Sequence, residues 1–178
     1  AILMSGEPGA EILYPDPGFP IYRSMIEFTG ATPVPVPIRE SNEFAFSAAE
    51  TLSLITPRTR LLILNSPANP TGGVTPKAEI DALVAGLAAH PQVAILSDEI
   101  YGTMTYDGET HVSLLSYPEI RDRLIYLDGA SKTYAMTGWR LGYGIMPAPM
   151  AQVVAKLQTN ATSCTATFTP MAGGPALP

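Results

Sequence analysis

Residues 61–98 read LLILNSPANPTGGVTPKAEIDALVAGLAAHPQVAILSD, and their pattern decides the architecture. Leu61–Asn65 is a continuous apolar run, the signature of a strand covered on both faces. It runs into the loop NSPANPTGG. A helix is expected at once afterwards: Thr75 can cap it, Pro76 suits its first position, and Ile80, Leu83, Val84 and Leu87 recur on one buried stripe. Val93–Ser97 is the next buried strand. Strand, helix and strand in this order form the unit from which parallel sheets are built.

Further strands lie on either side. Towards the N-terminus, Thr32–Ile38 reads TPVPVPI, with prolines at 33, 35 and 37. Their missing N–H groups all fall on one side of a strand, so that side cannot pair and the strand belongs at a sheet edge. Before it, Ile21, Tyr22, Met25, Ile26 and Phe28 mark a helix over Ile21–Phe28 that Gly30 stops. Glu11–Tyr14 is a short strand halted by YPDPGFP, where three prolines and a glycine exclude regular structure. Towards the C-terminus, Leu124–Leu127 and Leu141–Met146 are strands, and Met150–Leu157 begins a helix. The first residues, Ala1–Gly6, resemble the end of an apolar helix, while MAGGPALP at the other end holds too much Gly and Pro to propagate one. Both ends have the character of cut edges. Six strands with intervening helices make one α/β layered domain with a mainly parallel sheet.

Composition narrows the function. The 178 residues are 46% hydrophobic and 15% charged, enough for a single domain with a substantial core. A formal charge of -6 argues against a nucleic-acid surface, which needs clustered Lys and Arg. The lysines are Lys77, Lys132 and Lys156. The one cysteine, Cys164, has no internal partner and is expected to be a small buried residue in a reducing compartment, which favours the cytoplasm. Neither end carries a basic segment followed by an apolar run and a small-residue cleavage site, and no stretch approaches about 18 uninterrupted apolar residues, so a soluble chain without a membrane span is expected.

In parallel sheets, ligands collect beyond the carboxyl ends of the strands. Phe19 follows the strand ending at Tyr14, and Asn69 follows Asn65. Asp98 closes the next strand with Tyr101 one turn on, and Lys132 and Arg140 follow the strand ending at Leu127. An aromatic, an amide, a carboxylate, a phenol, an amine and a guanidinium thus leave four strand ends. They are expected to share one pocket.

NSPANPTGG, SDEIYGTM and DGASKTYAMTGWRLGYG, in that order, resemble the fold-type I pyridoxal-phosphate aminotransferases, in particular the aspartate-aminotransferase-like branch. The likeness runs from YPDPGFPIY to TSCTATFT. It implies a three-layer large domain whose mainly parallel sheet carries one antiparallel strand, here LGYGIM. It also implies pyridoxal 5'-phosphate as cofactor, an amino acid and a 2-oxo acid as substrates, and a homodimer or higher self-association.

Within that likeness Lys132 is the Schiff-base lysine, suited because burial and neighbouring cations tune an amine towards its unprotonated form. A solvated surface lysine is the alternative. Asp98 would hold a proton on the cofactor's pyridine nitrogen, or else cap the segment after it. Glu99 would point elsewhere and serve structure. Tyr101 and Asn69 resemble donors to the cofactor's phenolic oxygen; their plainer roles are core aromatic and turn residue. Arg140 matches a phosphate-binding arginine whose planar fork takes two oxygens, against a surface ion pair. Phe19 matches the aromatic that stacks on the cofactor ring, against simple packing.

The chain also departs from the family pattern. Gly129 stands where some members place a phosphate-binding serine, and Ser131 is a partial substitute. The family's first strand with its phosphate loop would precede Ala1, and the small domain with its carboxylate-binding arginine would follow Pro178. Without the first strand, LGYGIM becomes an exposed edge, and the chain is expected to self-associate or be marginally stable. Two other functions remain open: another fold-type I activity such as a carbon–sulfur lyase, and a non-catalytic aminotransferase-like module, either a regulator's effector domain or an inert fragment.

Overall fold

A computed structural model describes residues 1–176. A six-stranded sheet runs through it in the order β2-β1-β3-β4-β5-β6. The strands are β1 (Glu11–Asp16), β2 (Thr32–Pro37), β3 (Thr59–Asn65), β4 (Ala94–Asp98), β5 (Leu124–Gly129) and β6 (Gly142–Ile145). All neighbouring pairs are parallel except β5 and β6, where Asp128 faces Tyr143 and Gly129 faces Gly142. The expected three-layer α/β fold with one antiparallel strand is therefore present.

Helices cover both faces. On one side α3 (Ala48–Ser53) and α4 (Lys77–Leu87) lie over Leu13, Leu62, Leu64, Ile95 and Leu124. On the other, α1 (Ile2–Ser5) and α2 (Ile21–Phe28) cover Ile12, Leu61, Ile63, Leu96 and Ile125. Alternate residues of β3 thus enter opposite layers, as a strand buried on both faces requires. Leu61, Leu62 and Ile63 are 0% exposed, and each such side chain contributes about 1.5–3 kcal/mol relative to exposure.

The edge position of β2 follows from its prolines. Thr32 N–H donates to Ala10 O and Ile38 N–H to Asp16 O, both at 2.8 Å. The even-numbered residues therefore face β1, while Pro33, Pro35 and Pro37 turn their missing donors to the open side. α2 spans the expected residues, and Gly30 ends it with a φ of 80° that costs a glycine nothing.

Several expectations need correction. β1 continues through Pro15 to Asp16, although the proline was expected to stop it. Leu13 is the last residue of β1 paired with β3, so the absent Pro15 N–H faces a side with no partner there. Thr75 does not cap α4. Pro76 occupies the cap position, while Thr75 is buried, donating its N–H to Ser66 Oγ at 2.9 Å and accepting from Phe46 N–H at 3.4 Å. The stripe of Ile80, Leu83, Val84 and Leu87 is buried as expected. Beyond β6, α6 (Ala148–Ala161) is followed by an irregular segment and α7 (Phe168–Ala176). Cys164 lies in that segment and is exposed, because no α6 residue beside it is buried. α7 passes through Gly173 and Gly174 despite their low helix propensity; Gly173 lets the helix approach Leu141 so closely that a Cβ would stand 2.4 Å from its Cδ2. The last two residues of MAGGPALP lie outside the described residues. Among the described residues no helix is long and apolar enough to cross a membrane.

Candidate active site

The strand ends β1, β3, β4 and β5 open on one cavity of about 280 Å³. Phe19, Asn69, Asp98, Tyr101, Lys132 and Arg140 all line it. The convergence expected from sequence is met for all six.

Asp98 is the most constrained. It closes β4, with its backbone oxygen accepting from Asn65 Nδ2 at 3.0 Å. Its Oδ2 accepts from Tyr22 Oη at 2.6 Å, and its Oδ1 from Ile100 N–H at 3.4 Å. The second contact is the local capping role, so that role and cavity lining coexist. No cation pairs with Asp98 among the described residues. Burial raises its pKa above the ordinary carboxylate range, the Tyr22 and Ile100 hydrogen bonds act against this, and the charges of Asp128 and Glu99 add to it. Burial, followed by the Asp98 charge, likewise pushes the Tyr22 phenol upwards, so it stays a donor at neutral pH.

Tyr101 and Asn69 stand together, Asn69 Nδ2 donating to Tyr101 Oη at 3.4 Å. The loop that carries Asn69 is tied to β3, because Asn69 N–H donates to Asn65 Oδ1 at 2.9 Å. Lys132 lies on α5 (Ala130–Thr133), with Nζ 5.6 Å from the centre of the Tyr101 ring. It has no hydrogen-bonded or ion-paired partner among the described residues, unlike Lys77, whose Nζ is held by Asp81. Arg140 follows a short helical turn with a φ of 53° and donates to Thr137 O at 3.0 Å. Among the described residues no carboxylate pairs with it, so the surface ion pair weighed as its alternative is not seen there. Phe19 is 39% exposed and meets Tyr22 edge to face at 5.8 Å, which places it on the cavity wall and not in the core.

Three features escaped the sequence. Tyr22 was placed on the apolar stripe of α2, and the only hint of its partner is that a buried phenol needs one. Asn65 was taken as a strand terminus, yet it is 2% exposed and bonds both Asn69 and Asp98; a buried amide at a strand end is the signal. Thr137 also lines the cavity, beside Ser131, which the sequence had offered as a partial substitute for a phosphate-binding serine. At Gly129 a Cβ would stand 2.7 Å from Leu141 O, so this backbone has no room for a serine there.

A family model described as aminotransferase class I and II matches residues 1–174. The chain belongs to that family. Aromatic-amino-acid aminotransferase 2 of Thermococcus litoralis is 40% identical over 167 residues, covering 94% of this chain and 43% of that protein. An arginine–pyruvate transaminase of Pseudomonas aeruginosa is 43% identical over 143 residues, 80% of this chain and 36% of that one. Among solved structures, the aspartate aminotransferase from Rhizobium meliloti superposes with a TM-score of 0.89 at 35% identity, over 94% of this chain and 42% of its own. The chain thus spans under half the length of these aminotransferases. The family uses pyridoxal phosphate, and the donor set here suits it. Among the described residues, an amine without a partner, a guanidinium without a carboxylate, a half-buried carboxylate without a cation and an aromatic wall match an aldehyde, a phosphate, a basic ring nitrogen and a flat ring.

Proposed function

We propose that this chain forms the pyridoxal-phosphate-binding core of an aminotransferase that moves an amino group between an amino acid and a 2-oxo acid. One observation carries this: Lys132, without a side-chain partner among the described residues, shares a cavity with a half-buried Asp98 and with Arg140, neither of which is ion-paired among those residues. When bound, pyridoxal phosphate supplies an aldehyde that condenses with amines and a protonated ring that draws electrons from the substrate's α-carbon.

The protein's residues divide the remaining work. Lys132 Nζ would be the anchoring amine and the base for the α-carbon proton. Asp98 would hold a proton on the ring nitrogen, and Tyr22 keeps that carboxylate oriented. Tyr101 Oη and Asn69 Nδ2 would donate to the phenolic oxygen. Arg140 would take the phosphate with its guanidinium fork. Phe19, on the cavity wall, would cover the ring and keep water from it.

Adding pyridoxal phosphate to the folded chain tests this proposal. A new near-ultraviolet or visible absorbance band is expected, and Lys132→Ala is expected to abolish it. Absence of the band in folded protein with excess cofactor would remove the proposal for this chain. Amino-group transfer is then assayed with several amino acids, and a band without turnover would reduce the assignment to cofactor binding.

A further inference from the structure

Behind the turn that carries Asp98 and Tyr101 lies a second polar cluster, on the other face of the sheet. Asp98 contacts Tyr22 in the layer beneath α2, whereas the next residue, Glu99, reaches Leu114 in the layer beneath α4. Glu99 is 3% exposed, yet its carboxylate is fully engaged. Oε1 accepts from Ser97 Oγ at 2.8 Å and from Leu114 N–H at 2.9 Å, and Oε2 lies 2.7 Å from His111 Nε2. Burial works to raise its pKa, but the bonds from His111, Ser97, Ser113 and Leu114 outweigh burial and hold it below the ordinary range. An ionised Glu99 makes His111 Nε2 the donor, and charge-assisted bonds of this kind are the stronger ones.

The geometry of the turn depends on that anchor. Glu99 N–H donates to Leu127 O at 2.9 Å, and Gly102 N–H closes the turn on Glu99 O at 2.8 Å. The His111 ring packs directly against Gly102, where a Cβ would stand 3.0 Å from His111 Cδ2. Between Gly102 and His111 the chain is a mostly exposed excursion through Asp107 and Gly108. Its return to the body of the protein is fixed by His111 on Glu99.

We propose that Glu99 and His111 are positioning residues: locked together behind the turn, they hold Asp98 and Tyr101 at the spacing the cavity needs. Neither touches the cavity, and their importance for function rests on the active-site assignment above. That part of the proposal concerns Lys132 chemistry; the positioning itself is a property of the protein without cofactor.

Two measurements on the whole chain separate these. In His111→Ala, amide hydrogen exchange at Glu99 and Gly102 is expected to quicken about tenfold or more beyond any change at the β3 amides, because only the local anchor is lost. His111→Gln, which keeps a donor, is expected to restore most of the protection. Covalent capture of pyridoxal phosphate at Lys132 is expected to fall in His111→Ala by about tenfold or more and to recover in His111→Gln, since small misplacements of positioned groups have effects of this size. If His111→Ala does not fold, Glu99→Gln is compared with His111→Gln at the same amides. Equal quickening across β3 and the turn, or no rescue by glutamine, would overturn the proposal. No capture in the wild-type chain would remove the active-site assignment while leaving the exchange result to decide the positioning.

Discussion

β3 and β6 belong to one sheet and live under opposite conditions. β3 lies between two parallel neighbours with helices over both faces, and Leu61–Leu64 are no more than 2% exposed. β6 pairs on one side alone, all four of its residues are exposed, and the fourteen-residue α6 after it buries none of its own. The cavity straddles the two regimes. Asn69, Asp98 and Tyr101 are presented by the ends of the covered strands, and Lys132 and Arg140 sit between β5 and the uncovered edge. The closely covered half holds the amide, the carboxylate and the phenol, and the exposed half carries the amine and the guanidinium.

Substitutions sharpen that contrast. Ile63→Ala in β3 is expected to cost about 2–5 kcal/mol in urea unfolding, since the closely packed layer beneath α2 collapses poorly on a void. Tyr22→Phe keeps the packing but removes the donor to Asp98, and about 1.5–3 kcal/mol is expected at neutral pH. The pH dependence has a definite sign. The Asp98 pKa is raised by burial, so the native state gains from protonation: stability is greatest below the unfolded carboxylate value and falls as pH rises through the folded one. Losing the Tyr22 bond pushes that pKa further up, and the loss in Tyr22→Phe should extend to higher pH than in wild type. Urea titrations across the acid range would show it; an unchanged profile would mean that Tyr22 does not hold Asp98.

On the exposed side the effects are on association. Ile145 is 48% exposed on the outer strand, and a lysine there is the kind of charge that blunts an open edge. Ile145→Lys should lower the concentration-dependent mass seen in sedimentation velocity while changing stability by less than Tyr22→Phe. A wild-type chain that sediments as a monomer at all concentrations would contradict the expected self-association. Val153→Ala on α6, 44% exposed, should change unfolding by no more than about 0.5 kcal/mol.

The same contrast explains what could be read from the sequence. Strands covered on both faces announce themselves as apolar runs, and the strand–helix–strand unit at 61–98 marks β3 and β4 as parallel. The PVPVP edge was legible because proline's missing donor has a direction. The six residues expected at the cavity all line it, because strand ends in such a sheet point to one place. The misses lie where tertiary contacts override local preference. Pro15 is accepted because its neighbour strand has ended, Thr75 serves the loop instead of the helix end, and α7 tolerates Gly173 because it packs on Leu141. Cys164 was misjudged because its burial depends on what α6 packs against. The Tyr22–Asp98 bond joins residues 76 positions apart, and no local pattern encodes it.

If the site is built around the Lys132 amine, that amine is where pyridoxal phosphate is captured covalently. Incubating the folded chain with limiting pyridoxal phosphate, reducing with borohydride and mapping the peptides by mass should place the adduct on Lys132 far above Lys77 and Lys156, and Asp98→Asn should weaken the capture. An adduct spread evenly over the three lysines, or one unaffected at Lys132 by the loss of the Asp98 charge, would contradict it.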